Sequence, residues 1–224
     1  MLIVGIVPLL LILLGVAVLL GSSDQRRRVR SLPLSNTASV ADGEVKLQGK
    51  AFAYEPLTAP LSGQACVLYR LSFSQWVGMG RNKRLEEVHR ALVVGSGFAI
   101  IDAFGKLEID AEGAELRCEK VHSGGTSLLG LDTKASAAVK EHVPHLSEGE
   151  VRVVEELIPD GETILVIGTV DTSQAPPKLG GPRLLLSRLS EDALTKWDSG
   201  DFAGIAMIVG GVAAAVALAV VALG

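Results

Sequence analysis

A chain of 224 residues with 21 Lys and Arg against 25 Asp and Glu carries a formal net charge of −4, which excludes the overall basic character that nucleic-acid binding needs. Its two cysteines, Cys66 and Cys118, are too few and too far apart for a disulfide framework or a zinc ribbon. Every charged side chain lies between Asp24 and Asp201, so the two ends inflate the apolar share of 48%, and the middle, about 180 residues, is long enough for one large or two small domains.

Residues 1–21 are apolar and uncharged throughout. At about 1.5 Å of rise per residue a helix of that length reaches roughly 30 Å, the thickness of a bilayer's hydrocarbon core, and the stretch is expected to span one. A cleavable signal peptide is the competing reading, but the run lacks a basic n-region, has no small-x-small site before Ser22 and is too long. Residues 22–41 follow as a juxtamembrane linker carrying Arg26, Arg27, Arg28 and Arg30. No Lys or Arg precedes the first span, so in a bacterial plasma membrane the positive-inside rule places the middle domain in the cytoplasm and both termini outside. The cysteines are then reduced and act as small core residues; a single disulfide between them would require an oxidising compartment.

From Gly43 onward short apolar runs alternate with Gly, Pro and Asp, and residues 42–189 are expected to form a β-rich α+β domain, barrel-like or built of two small sheets. Val45 and Leu47 open a first strand that reaches Ala53, and residues 56–63 turn. A second strand covers 66–77, with Cys66 and Leu68 on one face and, after a slip, Leu71, Phe73 and Trp76. GMGRNKR, residues 78–84, is a hairpin tip, and residues 85–94 return as its partner strand. Tyr54, Phe73, Trp76 and Phe98 are expected in the core. In FAIIDAFGKLEIDAEGAEL, residues 98–116, two strands flank a turn at 102–105, where Asp102 caps its own backbone and Gly105 tolerates positive φ. A short strand over 115–121 and a flexible loop over 123–130 lead to a helix over 133–143, capped by Asp132 and ended by Pro144.

VRVVEELIPDGETILVIGTV, residues 151–170, reads as two strands joined at Pro159-Asp160-Gly161, and one more strand covers 183–187. Ser190 caps a short interfacial helix within 190–201, whose Glu191 and Asp192 complement the helix dipole. Residues 202–224 form the second span. In it Ala206, Gly210 and Ala214, and likewise Gly211, Ala215 and Ala219, recur every four residues and leave one helix face almost bare. That face is open to another helix, from this chain or from a second copy in a homo-oligomer, or simply to lipid.

Catalytic motifs do not emerge. Gly95-Ser96-Gly97 falls short of G-x-S-x-G and sits in a β region as a bulge or turn, and no P-loop or G-x-G-x-x-G is present. The acid pairs Glu86/Glu87 and Glu155/Glu156 are adjacent on strands, so their side chains point to opposite faces and suit solvated edges better than a shared proton. Cys118, His122, His142 and His145 have spacings that zinc accepts, but Pro144 interrupts the helix between the two last histidines, and no metal or other cofactor is expected. Arg81, Lys83 and Arg84 on the hairpin tip are candidates for contact with anionic lipid or an acidic partner, against the reading of a solvated hairpin end.

PLSGQACVLYRL (60–71), GFAIIDAFGKLEIDAEGAEL (97–116), VVEELIPDGETILVIGTV (153–170) and PPKLGGPRLLLS (176–187), in that order and between two apolar ends, resemble the GIDE or beside-a-membrane domain family. That family includes a mitochondrial outer-membrane ubiquitin ligase with a C-terminal RING finger. A RING needs about eight Cys and His ligands, mostly in C-x-x-C pairs. This sequence has two Cys and four His, no C-x-x-C, and closes at Gly224 on an apolar run. The family's ligase activity is therefore not expected of it. What the resemblance implies is a membrane-anchored interaction or scaffold protein whose domain recognises an unknown protein or ligand at the membrane surface. A component of a ubiquitin-ligase-like system with a separate catalytic partner is the alternative, and a metal or small-ligand sensor is the second. The mitochondrial relative places its domain in the intermembrane space, opposite to the orientation that the arginines give in a bacterial membrane.

Overall fold

The computed structural model describes residues 10, 12–17, 24, 26–78, 82–120, 122–124, 133–144, 151–173, 176–196, 206–210 and 212. The chain divides into two compact units, Met1–Leu32 with Glu191–Gly224, and Pro33–Ser190. In the first, residues 12–17, 26–31 and 206–210 are helical, as is Glu191–Thr195. No helix among the described residues is long and apolar enough to cross a membrane. Most of the expected spans 1–21 and 202–224 lies outside the described residues, including Gly211, Ala214, Ala215 and Ala219, whereas Ala206 and Gly210 are on helix. Arg26, Arg27, Arg28 and Arg30 also lie on helix within the stretch expected as linker. Arginine is a good helix former, and the first breaker is Pro33.

Among its described residues the second unit holds twelve strands: β1 (Leu34–Ser35), β2 (Gly43–Ala53), β3 (Leu57–Thr58), β4 (Ala65–Val77), β5 (Arg84–Val94), β6 (Phe98–Ile101), β7 (Lys106–Ile109), β8 (Glu115–Arg117), β9 (His122–Gly124), β10 (Val151–Pro159), β11 (Thr163–Asp171) and β12 (Lys178–Ser187). The helix Thr133–His142 lies between β9 and β10 in the chain. This is a β-rich α+β fold. Five strands close a small barrel in the order β2, β11, β12, β7, β6 and back to β2, with β1 added along β2 and β8 along β12. An open sheet runs β9, β10, β4, β5, and β3 shares with β5 the same side of β4.

Alternation explains the barrel. Val45, Leu47, Ala51 and Ala53 point inward from β2 and meet Phe98, Ile100, Leu107, Ile164, Val166 and Leu186 in one core. Each large aliphatic or aromatic side chain so buried contributes about 1.5–3 kcal/mol. Tyr54, expected in the core, has the opposite parity and is 43% exposed beside Phe52, with which it makes an edge-to-face contact. Trp76 is likewise on the surface, 42% exposed, because its parity is opposite to that of Leu71 and Phe73, which face the helix. Phe73 and Phe98 are in the core as expected.

The slip in β4, expected after Leu68, comes before it: a bulge at Val67, where Ile158 and Pro159 face Leu68 and Cys66, so Leu68 packs in the barrel core and Cys66 in a separate cluster. Beyond it Leu71 and Phe73 face the helix, whose Ala135, Ala138 and Val139 recur at helical spacing and pack on them with Val151 and Val153. Four boundaries differ from expectation. Residues 56–63 contain β3, held by pairing of Leu57 with Cys66; residues 122–124 form β9 against β10; β8 ends at Arg117; and β12 begins at Lys178. The last reads as loop because of its glycines and Pro182, but Lys178 and Leu179 pair with both β7 and β11.

The Pro159-Asp160-Gly161 turn is not a hairpin. It is a corner at which the chain leaves the open sheet on β10 and enters the barrel on β11. Asp160 accepts the Ala53 N–H at 2.8 Å, Gly161 donates to Ala51 O at 2.7 Å, and Ala51 donates to Glu162 O at 2.8 Å, so the corner is bonded to the end of β2.

A second fixed point is Asp102. Its carboxylate accepts the Thr37 N–H at 2.8 Å and hydroxyl at 2.6 Å, with the Phe104 and Gly105 N–H groups at 2.7 and 3.0 Å, joining the segment after β1 to the β6–β7 turn. Burial alone would raise its pKa, but these hydrogen bonds outweigh burial and hold it below the usual carboxylate value. Stability from a carboxyl with a depressed folded pKa is present above the unfolded value and is lost as pH falls through the folded one. Replacing Asp102→Ala is expected to cost about 1–3 kcal/mol at pH 7, and to shrink toward zero as unfolding curves are repeated below pH 4. A separate test is steric: a Cβ at Gly49 would stand 2.5 Å from Ile101 O, where β6 crosses β2. Gly49→Ala should lower stability by about 1–3 kcal/mol in urea titrations of the full chain.

Candidate functional site

After the Val67 bulge the even positions of β4 turn away from the helix, and Arg70, Ser72 and Ser74 come to the other face of the open sheet. Cross-strand pairing places Arg90 and Glu87 of β5 beside Ser72 and Ser74, and Glu156 and Arg152 of β10 beside Arg70 and Ser74. The segment from β8 to Lys120, with Leu189, stands over these residues as a wall. Between wall and sheet lies a cleft of about 720 Å³.

Arg70 fixes that wall. Its Nε and a terminal nitrogen both donate to Glu156 Oε2, at 2.8 and 2.6 Å, and the same terminal nitrogen donates to Leu116 O at 3.1 Å. The two side chains are only 17% and 10% exposed. Glu87 pairs with Arg90 at 2.8 Å and Glu115 with Arg117 at 2.7 Å. Five cations line the cleft (Arg70, Arg90, Arg117, Lys120 and Arg152) against three carboxylates, an excess of two positive charges in a chain whose net charge is −4. Leu85, Val154, Leu116 and Leu189 supply apolar surface between the charges. The cleft can donate hydrogen bonds and positive charge to an oxyanion and cover an apolar group next to it.

Glu155 and Glu156 do point to opposite faces, as expected, but neither sits on a solvated edge: they are 0% and 8% exposed. Glu155 accepts the backbone N–H groups of Leu61 and Ser62 at 2.7 and 3.1 Å on the helix side, while Glu156 holds Arg70 on the cleft side. Burial is tolerated because both find donors.

Cys118 lines the cleft and Cys66 lies buried elsewhere in the core; both are free thiols. Burial pushes each up to about 11, helped by Glu156 at Cys118 and by Glu155 at Cys66. At neutral pH both are thiols rather than nucleophilic thiolates. His142 stacks with His89 at 6.5 Å and lies 5.9 Å from Phe73, on the helix face of the sheet. The sheet thus separates it from Cys118. The side chain of His122 and all of His145 lie outside the described residues, among which no group of three or more His, Cys, Asp and Glu could hold a metal ion.

At the far end of β4, Lys83 sits 5.4 Å above the Trp76 ring and Arg84 pairs with Glu86 at 2.5 Å. Arg81 lies outside the described residues. The structure therefore adds an exposed aromatic to the basic tip.

A family model described as GIDE, E3 Ubiquitin ligase, matches residues 75–222. The chain belongs to the GIDE family. The matched stretch starts at the end of β4 and includes β5, β8, β10 and the corner, so most of the cleft lies inside this GIDE domain. No curated protein and no solved structure matches the chain.

Sequence reasoning missed the cleft. Its signal is the polar alternation Arg70-x-Ser72-x-Ser74 and Arg152-x-Val154-x-Glu156 on strands whose other face is apolar, but only the register of β4 against β10 brings the two series together. The Arg70–Glu156 pair gives a direct check of this geometry. Glu156→Ala leaves a half-buried guanidinium uncompensated and is expected to cost about 3–5 kcal/mol, whereas Arg70→Leu with Glu156→Leu should be markedly closer to the parent, a difference read from thermal unfolding of the two variants.

Proposed function

We propose that this GIDE-family chain is a membrane-anchored interaction or scaffold protein whose domain recognises a protein or ligand at the membrane surface. The observation that carries the reading is the cation-rich cleft, whose carboxylates are all tied to its own arginines and whose thiol is kept protonated. Such a surface is built to bind. The two uncharged ends suit membrane anchors, and Arg26, Arg27, Arg28 and Arg30 support a cytoplasmic domain in a bacterial membrane. The exposed Trp76 under Lys83, with Arg81 and Arg84 close by in sequence, suits contact with anionic headgroups, where an aromatic ring sits at the interface and each cation adds about 1 kcal/mol. The small-residue face through Ala206 and Gly210 suits packing against a second span or a second copy.

The family description supports a second reading, a component of a ubiquitin-ligase-like system in which a separate protein supplies catalysis. Stimulation of substrate modification when the chain is added to a RING protein and its conjugating enzyme would favour it; unchanged rates would count against it.

The anchoring is tested by fractionation and proteolysis. After an alkaline carbonate wash the full-length chain is expected to remain in the membrane pellet, and protease should digest the middle domain in inverted vesicles while sparing it in right-side-out ones. Release by carbonate would remove the anchored reading, and the reverse protection pattern would remove the cytoplasmic one.

A further inference from the structure

We infer that the free edge of β5 takes up an extended basic peptide by strand addition, the peptide pairing along Ala91–Val94 and bringing a Lys or Arg side chain to Asp110 and Glu112. The site is a second surface of the domain, separate from the cation-rich cleft, and it stands whether or not that cleft has a ligand.

The first observation is backbone. Among the described residues β5 pairs with β4 alone, so its 11 residues present one row of N–H and C=O groups with no strand beside them. Folded proteins protect such edges with charge, proline or a bulge. The first half of β5 has such protection, in Arg84, Glu86, Glu87 and Arg90 and in the bulge opposite Phe73 and Ser74. The second half, Ala91-Leu92-Val93-Val94, has neither charge, proline nor bulge, and its side chains are only partly buried. That half is where a further strand can add, held by main-chain hydrogen bonds.

The second observation is a cavity of about 530 Å³ beside the same half, lined by Leu92, Val94, Gly95 and Gly97 and by Asp110 and Glu112 from the segment after β7. Its volume is within the range of ligand sites. Leu92 and Val94 share one face of β5, and residues opposite one another on paired strands lie on the same face. Every second side chain of an added strand would therefore stand on the cavity side.

The third observation is charge. Asp110 and Glu112 are exposed and form no ion pair among the described residues; the Asp110 carboxylate accepts the Glu112 N–H at 3.3 Å. Aliphatic surface with carboxylates beside it suits a Lys or Arg side chain, whose stem covers the apolar part while its head meets the charge. The net charge of −4 weighs against a second copy of this chain as the partner.

The full-length chain, in detergent, is titrated with an end-blocked hexapeptide of alternating Lys and Val while amide hydrogen exchange is followed by NMR. Saturable binding is expected to slow exchange within Ala91–Val94 about fivefold or more and to leave unchanged the amides of β9, the strand at the opposite edge of the sheet. Counterparts with Glu for Lys, or with Pro at the two central positions, should bind about tenfold more weakly or worse, the first through its charge and the second because proline cannot join the ladder. Asp110→Asn with Glu112→Lys, its unfolding midpoint matching the parent, should weaken the Lys-Val peptide about tenfold or more, and the peptide series reads the same contacts in the unaltered chain.

Equal binding of the Glu counterpart, or unchanged binding by the double variant, would overturn the basic assignment. Equal binding of the Pro counterpart, or protection of β9 in place of β5, would overturn the edge. Protection of Ala91–Val94 that rises with protein concentration in the absence of peptide would overturn the foreign partner in favour of a second copy, and no saturable binding would overturn the inference outright. The anchored reading is decided apart from all of these, by the carbonate wash.

Discussion

The domain depends on one corner. A single run, residues 151–171, supplies an interior strand to the open sheet and then, past Pro159-Asp160-Gly161, an interior strand to the barrel. Val153, Leu157 and Ile158 before the corner and Ile164, Val166 and Ile167 after it are all essentially buried. Either half alone would be an apolar strand seeking a partner. Bonding of the corner to Ala51 and Ala53 sets where β11 meets β2, and β2 in turn receives β6 and closes the barrel. Closure removes two of the exposed strand edges that an open sheet would otherwise present.

From that constraint the cleft follows. With β10 fixed by the corner, its register against β4 puts Glu156 opposite Arg70, and Arg70 reaches Leu116 O on the segment that β12 holds through β8. Barrel and open sheet thus meet at this guanidinium as well as at the corner. An ion pair this far from water gains little net stability, since desolvation of both groups offsets most of their attraction. Its consequence is positional: β4, β10 and the β8 segment are held in one arrangement around the cleft. The chain's overall acidity makes the local positive field a property of the cleft rather than of the molecule.

Much of this was legible in the sequence. Alternation located β2, β4, β6, β7, β10 and β11, because each has one buried and one polar face or is buried on both, whereas β5, which has no buried residue, was located as the return strand of a hairpin. Turn chemistry located Asp102 and Pro159-Asp160-Gly161, because few residues satisfy those backbones. The family was legible from the order of its segments. What stayed hidden depends on pairing between distant strands. That Pro159-Asp160-Gly161 changes sheets and that Glu155 and Glu156 are both buried and satisfied are consequences of pairing between distant strands, which local pattern does not encode, whereas the outward placement of Tyr54 and Trp76 follows from their parity on the strand. Short edge strands such as β3 and β9 have no periodicity long enough to read.

The central claim is that the corner at Pro159-Asp160-Gly161 holds the barrel and the open sheet together. Native-state amide hydrogen exchange of the full-length chain carrying Asp160→Ala tests it most directly. The account predicts that protection falls on both sides of the corner, in β10 and in β2 and β11, because Asp160 bonds the corner to Ala53. Loss of protection confined to residues 159–162 would contradict it.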